Sequence, residues 1–400
     1  MRLFRRTIVL AAVAMSTCVG VRVDASLWHA VHDGTKWRYQ MVDANDVDAP
    51  SLALDSQDRA HISYFVEERC NSPGNAGCGS LGYATQQGGG WDLSVLDQGQ
   101  GIWGVGYGSS LVIDSSDHPH IAYSGKGFEG LKYTTFDGLA WSSSIVAPDG
   151  APGDIELDPA GNPVVAYVNL RRSPEQGVGL ATIGQTDWQT EAIDSSFTDS
   201  FEISLELDSQ GVPHVTYYDG DARDLRYASK TAGVWNIETV ESAGTTGWDS
   251  ALALDQNDVP HIAYYNATER SVKYAVRDGA GWSIHSFGVP GLGFEGGARP
   301  SLAIDDLGRV HLAFNDTWRE TVEYAMFDGV DWRMQTIASG YFYSDLSLAI
   351  DSHGRPNIVF SYATPVPEPP AMSLALLAFV GIPCLRIRAW RLWCPASSVM

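Results

Sequence analysis

Short apolar runs separated by polar turns fill most of the chain, and one arrangement of them recurs seven times. In each copy an apolar run ends at an aspartate, a turn rich in Ser, Gly, Asn and Asp follows, and a second apolar run begins. Apolar runs that flank a turn in this way predict the two strands of a β-hairpin. The seven aspartates are Asp55, Asp114, Asp158, Asp208, Asp255, Asp305 and Asp351. Six residues later, five copies have a histidine, namely His61, His120, His214, His261 and His311.

A second phrase also recurs seven times and predicts another hairpin, because it joins two alternating segments through a turn. Five of its copies have a tyrosine eight residues before a tryptophan that is present in every copy. The tryptophans are Trp37, Trp91, Trp141, Trp188, Trp235, Trp282 and Trp332.

Two hairpins in each repeat of about 50 residues predict the four-stranded blade of a β-propeller. The chain begins with the second hairpin alone, in residues 27–43, and ends with the first hairpin alone, in residues 347–362. Two complementary half-repeats predict an all-β, seven-bladed β-propeller whose closing blade is shared between the N- and C-terminal hairpins.

The first 25 residues have the pattern of a secretory signal peptide. Arg2, Arg5 and Arg6 form its basic region, an apolar stretch follows, and small residues up to Ala25 provide a cleavage site. The propeller is therefore assigned to residues 26–364, and residues 365–400 form a separate tail.

The formal net charge of −22 makes nucleic acid an unexpected partner, because an acidic surface repels phosphate groups. Outside the two terminal segments, Cys70 and Cys78 are the only cysteines. In an exported protein this pair predicts a disulfide that closes a surface loop.

The tail has three features in order: a Val-Pro-Glu-Pro motif, an apolar stretch, and a cluster of arginines. It resembles the PEP-CTERM sorting signal of bacterial exported proteins on Val366, Pro367, Glu368, Pro369, Arg386, Arg388 and Arg391. The resemblance implies that an exosortase-type enzyme processes the tail after transient membrane contact and that the protein reaches the cell surface or the extracellular space. An uncleaved membrane anchor is the alternative, with the same orientation by the positive-inside rule.

The repeated Asp, His and Trp residues are interpreted as structural, because a reactive site is a single asymmetric place. The Asp-Gly turns before several tryptophans resemble the Asp-box of sialidase-like propellers, although they are one residue shorter. No catalytic residue, metal site or cofactor is predicted, and we expect a monomeric protein that is not an enzyme. A sialidase-like glycoside hydrolase is the alternative, since Arg223, Arg270 and Arg319 lie in matching loops.

One face of the propeller is predicted to bind a ligand, because the loops that emerge there do not repeat. Aromatic residues beside charged residues are suited to stacking on sugar rings and to hydrogen bonds with hydroxyl groups. The candidate residues are Trp103, Trp248, Trp318, Arg223, Arg270, Arg319, Asp221, Glu269 and Glu320. The sequence thus predicts a surface-displayed binding or scaffold module for an extracellular glycan, with a purely structural surface protein as the alternative.

Overall fold

The computed structural model describes residues 25–68, 78–99, 104–125, 130–170, 176–184, 187–196, 203–279, 281–287, 298–317, 319–340 and 345–362. The chain divides into two compact units, Met1–Val366 and Pro367–Met400, and all the described residues belong to the first. These residues form antiparallel four-stranded sheets, which are the blades of a propeller. No segment among them is a helix that is long and apolar enough to span a membrane.

The first three blades follow one another along the chain, each with four consecutive strands. Blade 1 consists of β3 (Val47–Leu54), β4 (Ala60–Glu68), β5 (Cys78–Gln87) and β6 (Gly90–Gln98). Blade 2 consists of β7 (Ser110–Ile113), β8 (Pro119–Ser124), β9 (Leu131–Phe136) and β10 (Trp141–Ala147). Blade 3 consists of β11 (Gly150–Leu157), β12 (Pro163–Asn169), β13 (Gly177–Ile183) and β14 (Trp188–Asp194).

The next three blades have the same order of strands. Blade 4 consists of β15 (Ser204–Leu207), β16 (Pro213–Asp219), β17 (Asp224–Thr231) and β18 (Val234–Glu241). Blade 5 consists of β19 (Thr246–Leu254), β20 (Pro260–Asn266), β21 (Ser271–Asp278) and β22 (Gly281–Phe287). Blade 6 consists of β23 (Ser301–Ile304), β24 (Val310–Asp316), β25 (Thr321–Phe327) and β26 (Trp332–Ser339).

Blade 7 closes the ring with strands from both ends of the chain. Its strand order is β2 (Trp37–Asp43), β1 (Ser26–His32), β28 (Pro356–Tyr362) and β27 (Leu346–Ile350). The first and last strands pair antiparallel, from Ser26 opposite Tyr362 to Val31 opposite Asn357. The innermost strands of neighbouring blades contact one another around the whole ring, including β27 against β3. The predicted seven-bladed fold and its shared closing blade are confirmed.

The repeated aspartates shape the turn between the first and second strands of each blade. In blade 1, the Asp55 carboxylate accepts the backbone amides of Gln57 and Arg59 at 2.9 and 2.8 Å. Such a side chain mimics a backbone turn, which explains its recurrence at the same position.

The repeated histidines and tryptophans form a partly buried layer that joins each blade to the next. The His61 ring lies between the Tyr83 hydroxyl, at 2.5 Å, and the Asp55 carboxylate, at 3.2 Å. Trp141 of blade 2 packs edge-on against Tyr83 of blade 1, with ring centroids 5.1 Å apart. Burial lowers the pKa of His61, so the imidazole is held in its neutral form.

Two blades lack this set, and each changes both members of the His–Tyr pair. Blade 3 has the apolar pair Val164 and Leu180, both of which are buried. Blade 7 has Asn357 and His29, whose side chains are 3.0 Å apart. The pair therefore behaves as one packing unit, since neither blade leaves a single polar member behind.

Candidate functional site at the mouth of the channel

The structure describes only part of the predicted binding face. Trp103 and Trp318 lie outside the described residues, as do Cys70, most of the signal peptide and the whole sorting tail. Cys78 begins β5. The predicted disulfide and the sorting motif therefore remain predictions.

Trp248, the third predicted tryptophan, is half-buried in β19. Its ring packs edge-on against Tyr218 of blade 4, with centroids 6.1 Å apart. The indole Nε1 is buried and has no hydrogen-bond partner among the described residues. Trp248 thus contributes more to packing between blades 4 and 5 than to an open sugar platform.

The predicted charged residues occupy three turns that connect the second and third strands of blades 4, 5 and 6. The six residues are Asp221, Arg223, Glu269, Arg270, Arg319 and Glu320. Arg223, Arg270 and Glu320 occupy equivalent positions with positive φ, whereas Arg319 lies one residue earlier. Glu269 is 2.8 Å from Lys273 of the adjoining strand β21, and Arg319 is 3.4 Å from Asp316 at the end of β24. These charges shape separate turns, and the three arginines do not occupy one repeated position.

A different set of residues surrounds the mouth of the central channel, where the innermost strands begin. An open pocket of about 260 Å³ lies there, lined by Asp249, Arg299 and Asp345 among others. Ala49, Asp249 and Arg299 have φ values of 49°, 52° and 44°, which side-chain-bearing residues seldom adopt. The pairing of β3 and of β19 with the next strand is shifted by bulges at this level. Bulges and strained backbone commonly occur where a strand must re-aim a functional side chain.

Arg299 is the central group of the mouth. Its guanidinium lies 2.7 Å from the Asp345 carboxylate, and its backbone amide donates to Asp249 at 3.2 Å. Burial alone would lower the pKa of Arg299, but the carboxylates of Asp345, Asp249 and Asp48 raise it. The guanidinium is therefore a fixed positive charge surrounded by acidic groups.

Tyr107 is an aromatic side chain that is available beside this charged group. It is 49% exposed and packs edge-on against Phe65, at 5.7 Å between centroids. Burial of its inner part raises the pKa of the phenol, which stays protonated near neutral pH. Tyr107 therefore offers both a ring face and a hydroxyl group at the mouth.

Below the mouth, a ring of hydroxyl groups connects the innermost strands. Each serine accepts the edge amide of the next blade, as Ser51 does from Leu111 at 3.1 Å. In blade 3 the equivalent residue is Asp154, which accepts a hydrogen bond from Ser110 at 2.6 Å and from the Leu205 amide at 3.0 Å. These bonds satisfy backbone groups that an edge strand would otherwise leave unpaired.

One step deeper, Glu156 of blade 3 and Glu206 of blade 4 interrupt a lining of small apolar residues. Leu205 is buried in the core, so Ser204 and Glu206 lie on the opposite, channel-facing side of β15. Burial and the nearby carboxylates of Glu206 and Asp154 raise the pKa of Glu156 well above its usual range. Burial and Asp154 raise the pKa of Glu206 to about 8. The other blades have Ala53, Val112, Ala253, Ala303 and Ala349 at this level.

Within the described ranges, one group of three residues has the spacing of metal ligands. Oxygen and nitrogen atoms of Asp58, Asp351 and His353 lie within 4.8 Å of one another. Asp58 already accepts the amide and hydroxyl of Ser352, at 2.8 and 2.7 Å. Serine–aspartate contacts of the same kind join Ser56 to Asp117 and Ser209 to Asp258. The group is therefore explained by hydrogen bonds that join neighbouring blades.

The sequence interpretation passed over Asp249, Arg299, Asp345, Glu156 and Glu206. A signal for them is present when the seven copies of the first phrase are compared position by position. Glutamate occurs in two copies where the others have alanine or valine. The mouth residues precede the serine position by two residues, where the copies also differ.

No protein-family model and no curated protein matches the chain. Its fold is similar to that of an ulvan lyase of polysaccharide lyase family PL25, solved with bound -[GlcA(1-4)Rha3S]-, at 12% identity and a TM-score of 0.55. That match covers 80% of this chain and 92% of the lyase. AofleA from Arthrobotrys oligospora, solved as a mutant, matches at 12% identity and a TM-score of 0.52, over 79% and 89% of the two chains. A protein of unknown function from Dyadobacter fermentans matches at 12% identity and a TM-score of 0.51, over 78% and 94%.

The prediction that the chain is not an enzyme is wrong. It rested on the repetition of the polar residues in equivalent positions, yet a polysaccharide lyase shares this fold. The repeated polar residues belong only to the layer that packs the blades against one another. The channel contains acidic residues that do not repeat, so the architecture leaves room for a single asymmetric site.

Proposed function

We propose that the mouth of the channel binds an extracellular glycan. The observation that carries this proposal is the non-repeating set of Asp249, Arg299 and Asp345, which line one open pocket, together with Tyr107, which interacts with Arg299 beside it. A tyrosine ring can stack on the apolar face of a sugar, while carboxylates and a guanidinium form hydrogen bonds with its hydroxyl groups. The carbohydrate-active lyase with a similar fold supports this choice of ligand class.

The test is a glycan array, followed by calorimetry on the glycans that bind. We expect Tyr107→Ala to weaken binding about tenfold, because stacking on an aromatic ring contributes roughly 1 kcal/mol or more. The matched control is Leu307→Ala. Leu307 is 78% exposed and lies in the turn at the other end of β23. Equal binding by both variants would rule out the mouth as the site, and no binding by the parent protein would rule out the proposal for the glycans tested.

Cleavage of the bound glycan is a second candidate, favoured by the raised pKa of Glu206. A carboxylic acid that remains protonated near neutral pH can act as a general acid, provided that the substrate reaches it. New reducing ends released by the parent protein, and not by Glu206→Gln, would support this activity.

We also propose that the protein is exported through residues 1–25 and sorted by an exosortase-type enzyme through its PEP-CTERM-like tail. These proposals, and the Cys70–Cys78 disulfide, are supported by the sequence patterns described above. Intact-mass measurement of the protein recovered from cells would test all three. Retention of either terminal segment would contradict its processing, and two free thiols would contradict the disulfide.

A further inference from the structure

A second pocket, of about 490 Å³, lies between blades 2 and 3. Tyr167, Asn169 and Trp188 are among the residues that line it. Tyr167 is buried, whereas Thr190 and Ala192 of the outer strand β14 are exposed, so the pocket opens to solvent at the outer part of the blade. It has no lining residue in common with the pocket at the mouth.

The pocket lies where a repeated contact between blades is missing one of its members. At four other junctions, a tyrosine of the second strand donates a hydrogen bond to a carboxylate of the preceding blade. The pairs are Tyr64 with Asp43, Tyr123 with Asp97, Tyr217 with Asp194, and Tyr264 with Glu241, at 2.6–3.0 Å. Blades 6 and 7 have phenylalanine in place of the tyrosine, and the preceding blade then has no carboxylate at the matching position. Only blade 3 keeps the tyrosine, Tyr167, although the preceding blade has Ala147 there.

The face of blade 3 that includes Tyr167 also has small residues on its outer two strands. Tyr167 lies opposite Gly179 of β13, and Gly179 lies opposite Ala192 of β14. The corresponding pairs in the other blades are bulkier, namely Gly82–Val95, Lys132–Ile145, Arg226–Thr239, Lys273–Ser286, Glu323–Thr336 and Trp28–Met41. Ala147, Gly179 and Ala192 thus leave open the space that larger side chains occupy elsewhere, which accounts for the pocket.

The lining of the pocket combines an aromatic ring with neutral polar groups. The Trp188 indole is held in place, because its Nε1 donates to the Ser144 hydroxyl at 3.0 Å and its ring packs edge-on against Tyr133, with centroids 5.2 Å apart. Asn169 and Thr190 add an amide and a hydroxyl group. An aromatic surface with a few polar groups is typical of small-ligand sites, whose volumes are usually roughly 300–1,000 Å³.

We propose that this pocket binds one unit of a neutral pyranose sugar, with Trp188 as the stacking surface and Asn169 and Thr190 as hydrogen-bonding groups. A pyranose has an apolar face of C–H groups and a rim of hydroxyl groups, which match the two kinds of group in the pocket. The inference has its ligand class in common with the proposed function but concerns a separate site. Two sites on one molecule would strengthen the binding of a polymeric glycan.

A charged sugar fits the pocket less well. Asp149 and Glu191 line it, and no described lining residue is a lysine, arginine or histidine. A uronate would therefore meet carboxylates of its own charge. An amino sugar would compete with an existing ion pair, because Glu191 already lies 2.5 Å from Lys230 of blade 4.

Fluorine NMR of protein that carries fluorotryptophan measures binding at this pocket separately from binding at the mouth. The Trp188 resonance is assigned by its absence from Trp188→Phe, and Trp141, at the equivalent position of blade 2, is the reference. The probes are the methyl glycosides of glucose, galactose, mannose, xylose and fucose, with methyl glucuronide as the charged counterpart. We expect at least one neutral glycoside to shift Trp188 and leave Trp141 unchanged, and to do so in Tyr107→Ala as well.

Two variants fill the pocket with side chains that other blades have at the same positions. Ala147→Asp copies Asp97 of blade 1, and Ala192→Met copies Met41 of blade 7. Each should weaken the binding that shifts Trp188 by about tenfold or more. Ala192 is exposed, so its replacement should leave the fold intact. The matched control is Val95→Met, which makes the same change at the equivalent position of blade 1 and should bind like the parent protein.

The results that would overturn the inference differ from those that would overturn the proposed function. A Trp188 resonance that no neutral glycoside moves, or that moves with equal affinity in both filled variants, would exclude a sugar site in this pocket. A glucuronide that binds as tightly as the glucoside would exclude the neutral class. Glycan binding at the mouth is tested independently by the array and by Tyr107→Ala.

Discussion

Residues that pack the blades against one another differ between blades in a different way from residues that line the central channel. In the packing layer, a change in one residue is matched in its partner, as Val164 and Leu180 show in blade 3. In the channel, Glu156 and Glu206 occupy positions where the other blades have small residues, and no cation among the described residues pairs with them. Matched changes preserve packing. An acidic residue without a paired cation lowers stability, and it also provides a carboxyl group that can take part in binding or catalysis.

The largest test of the packing layer is deletion of residues 26–43, which removes β1 and β2 from blade 7. β28 would then become an exposed edge, and Trp37 would no longer pack against Tyr324 of blade 6. We expect loss of cooperative folding, measured by circular dichroism during thermal unfolding. A truncated protein that melts cooperatively at the parent temperature would show that the shared blade is dispensable.

Two tyrosine-to-alanine variants compare the two regions directly. Tyr324→Ala should lower the free energy of unfolding by about 3–5 kcal/mol, because it leaves a cavity beside Trp37 and removes the partner of His311. Tyr107→Ala at the mouth should change it by less than about 1 kcal/mol. Urea denaturation measures both values. Similar losses in the two variants would erase the distinction between the regions.

Replacing the His–Tyr pair of blade 1 with the Val–Leu pair of blade 3 tests whether the two residues act as one packing unit. His61→Val alone should cost about 1–3 kcal/mol, because it leaves the buried Tyr83 hydroxyl without its partner. His61→Val combined with Tyr83→Leu should recover part of that loss, giving a coupling energy of about 1 kcal/mol in a double-mutant cycle. Strictly additive costs would argue against a single unit.

The last test concerns the pH dependence contributed by the channel. Glu206 has a pKa of about 8 in the folded protein and an ordinary, lower pKa when unfolded, so the folded state holds the extra proton between these values. Its contribution to stability is complete below the unfolded pKa and is lost as the pH rises towards 8. The free energy of unfolding should therefore fall over this range, and Glu206→Gln should flatten the decline. An unchanged slope in that variant would assign the effect to other groups.

The fold could be predicted from the sequence because every blade repeats its turns and its packing residues. The half-repeats at the two ends also identified the shared blade. The site could not be predicted in the same way, since Glu206 lies within a strand phrase, Ser-Leu-Glu-Leu, that reads as ordinary alternation. Trp248 was predicted to be an exposed ligand-binding residue because it interrupts the repeat. The structure places it in β19, half-buried against Tyr218, so an aromatic residue that interrupts the repeat does not by itself identify a binding site.

The hydroxyl ring around the channel also shows where the circle is joined differently. Six of its seven links pass from a side chain of one blade to an edge amide of the next, and the link from Ser347 to Leu52 crosses between the chain ends. Blade 5 has Ala251 at this position and has no hydroxyl to offer. The corresponding hydrogen bond to blade 6 is made at the mouth instead, where Asp249 accepts the amide of Arg299. The one link of this kind that is not made at the serine position therefore lies within the proposed binding site, and a ligand that engages Asp249 or Arg299 would act directly on the contact between blades 5 and 6.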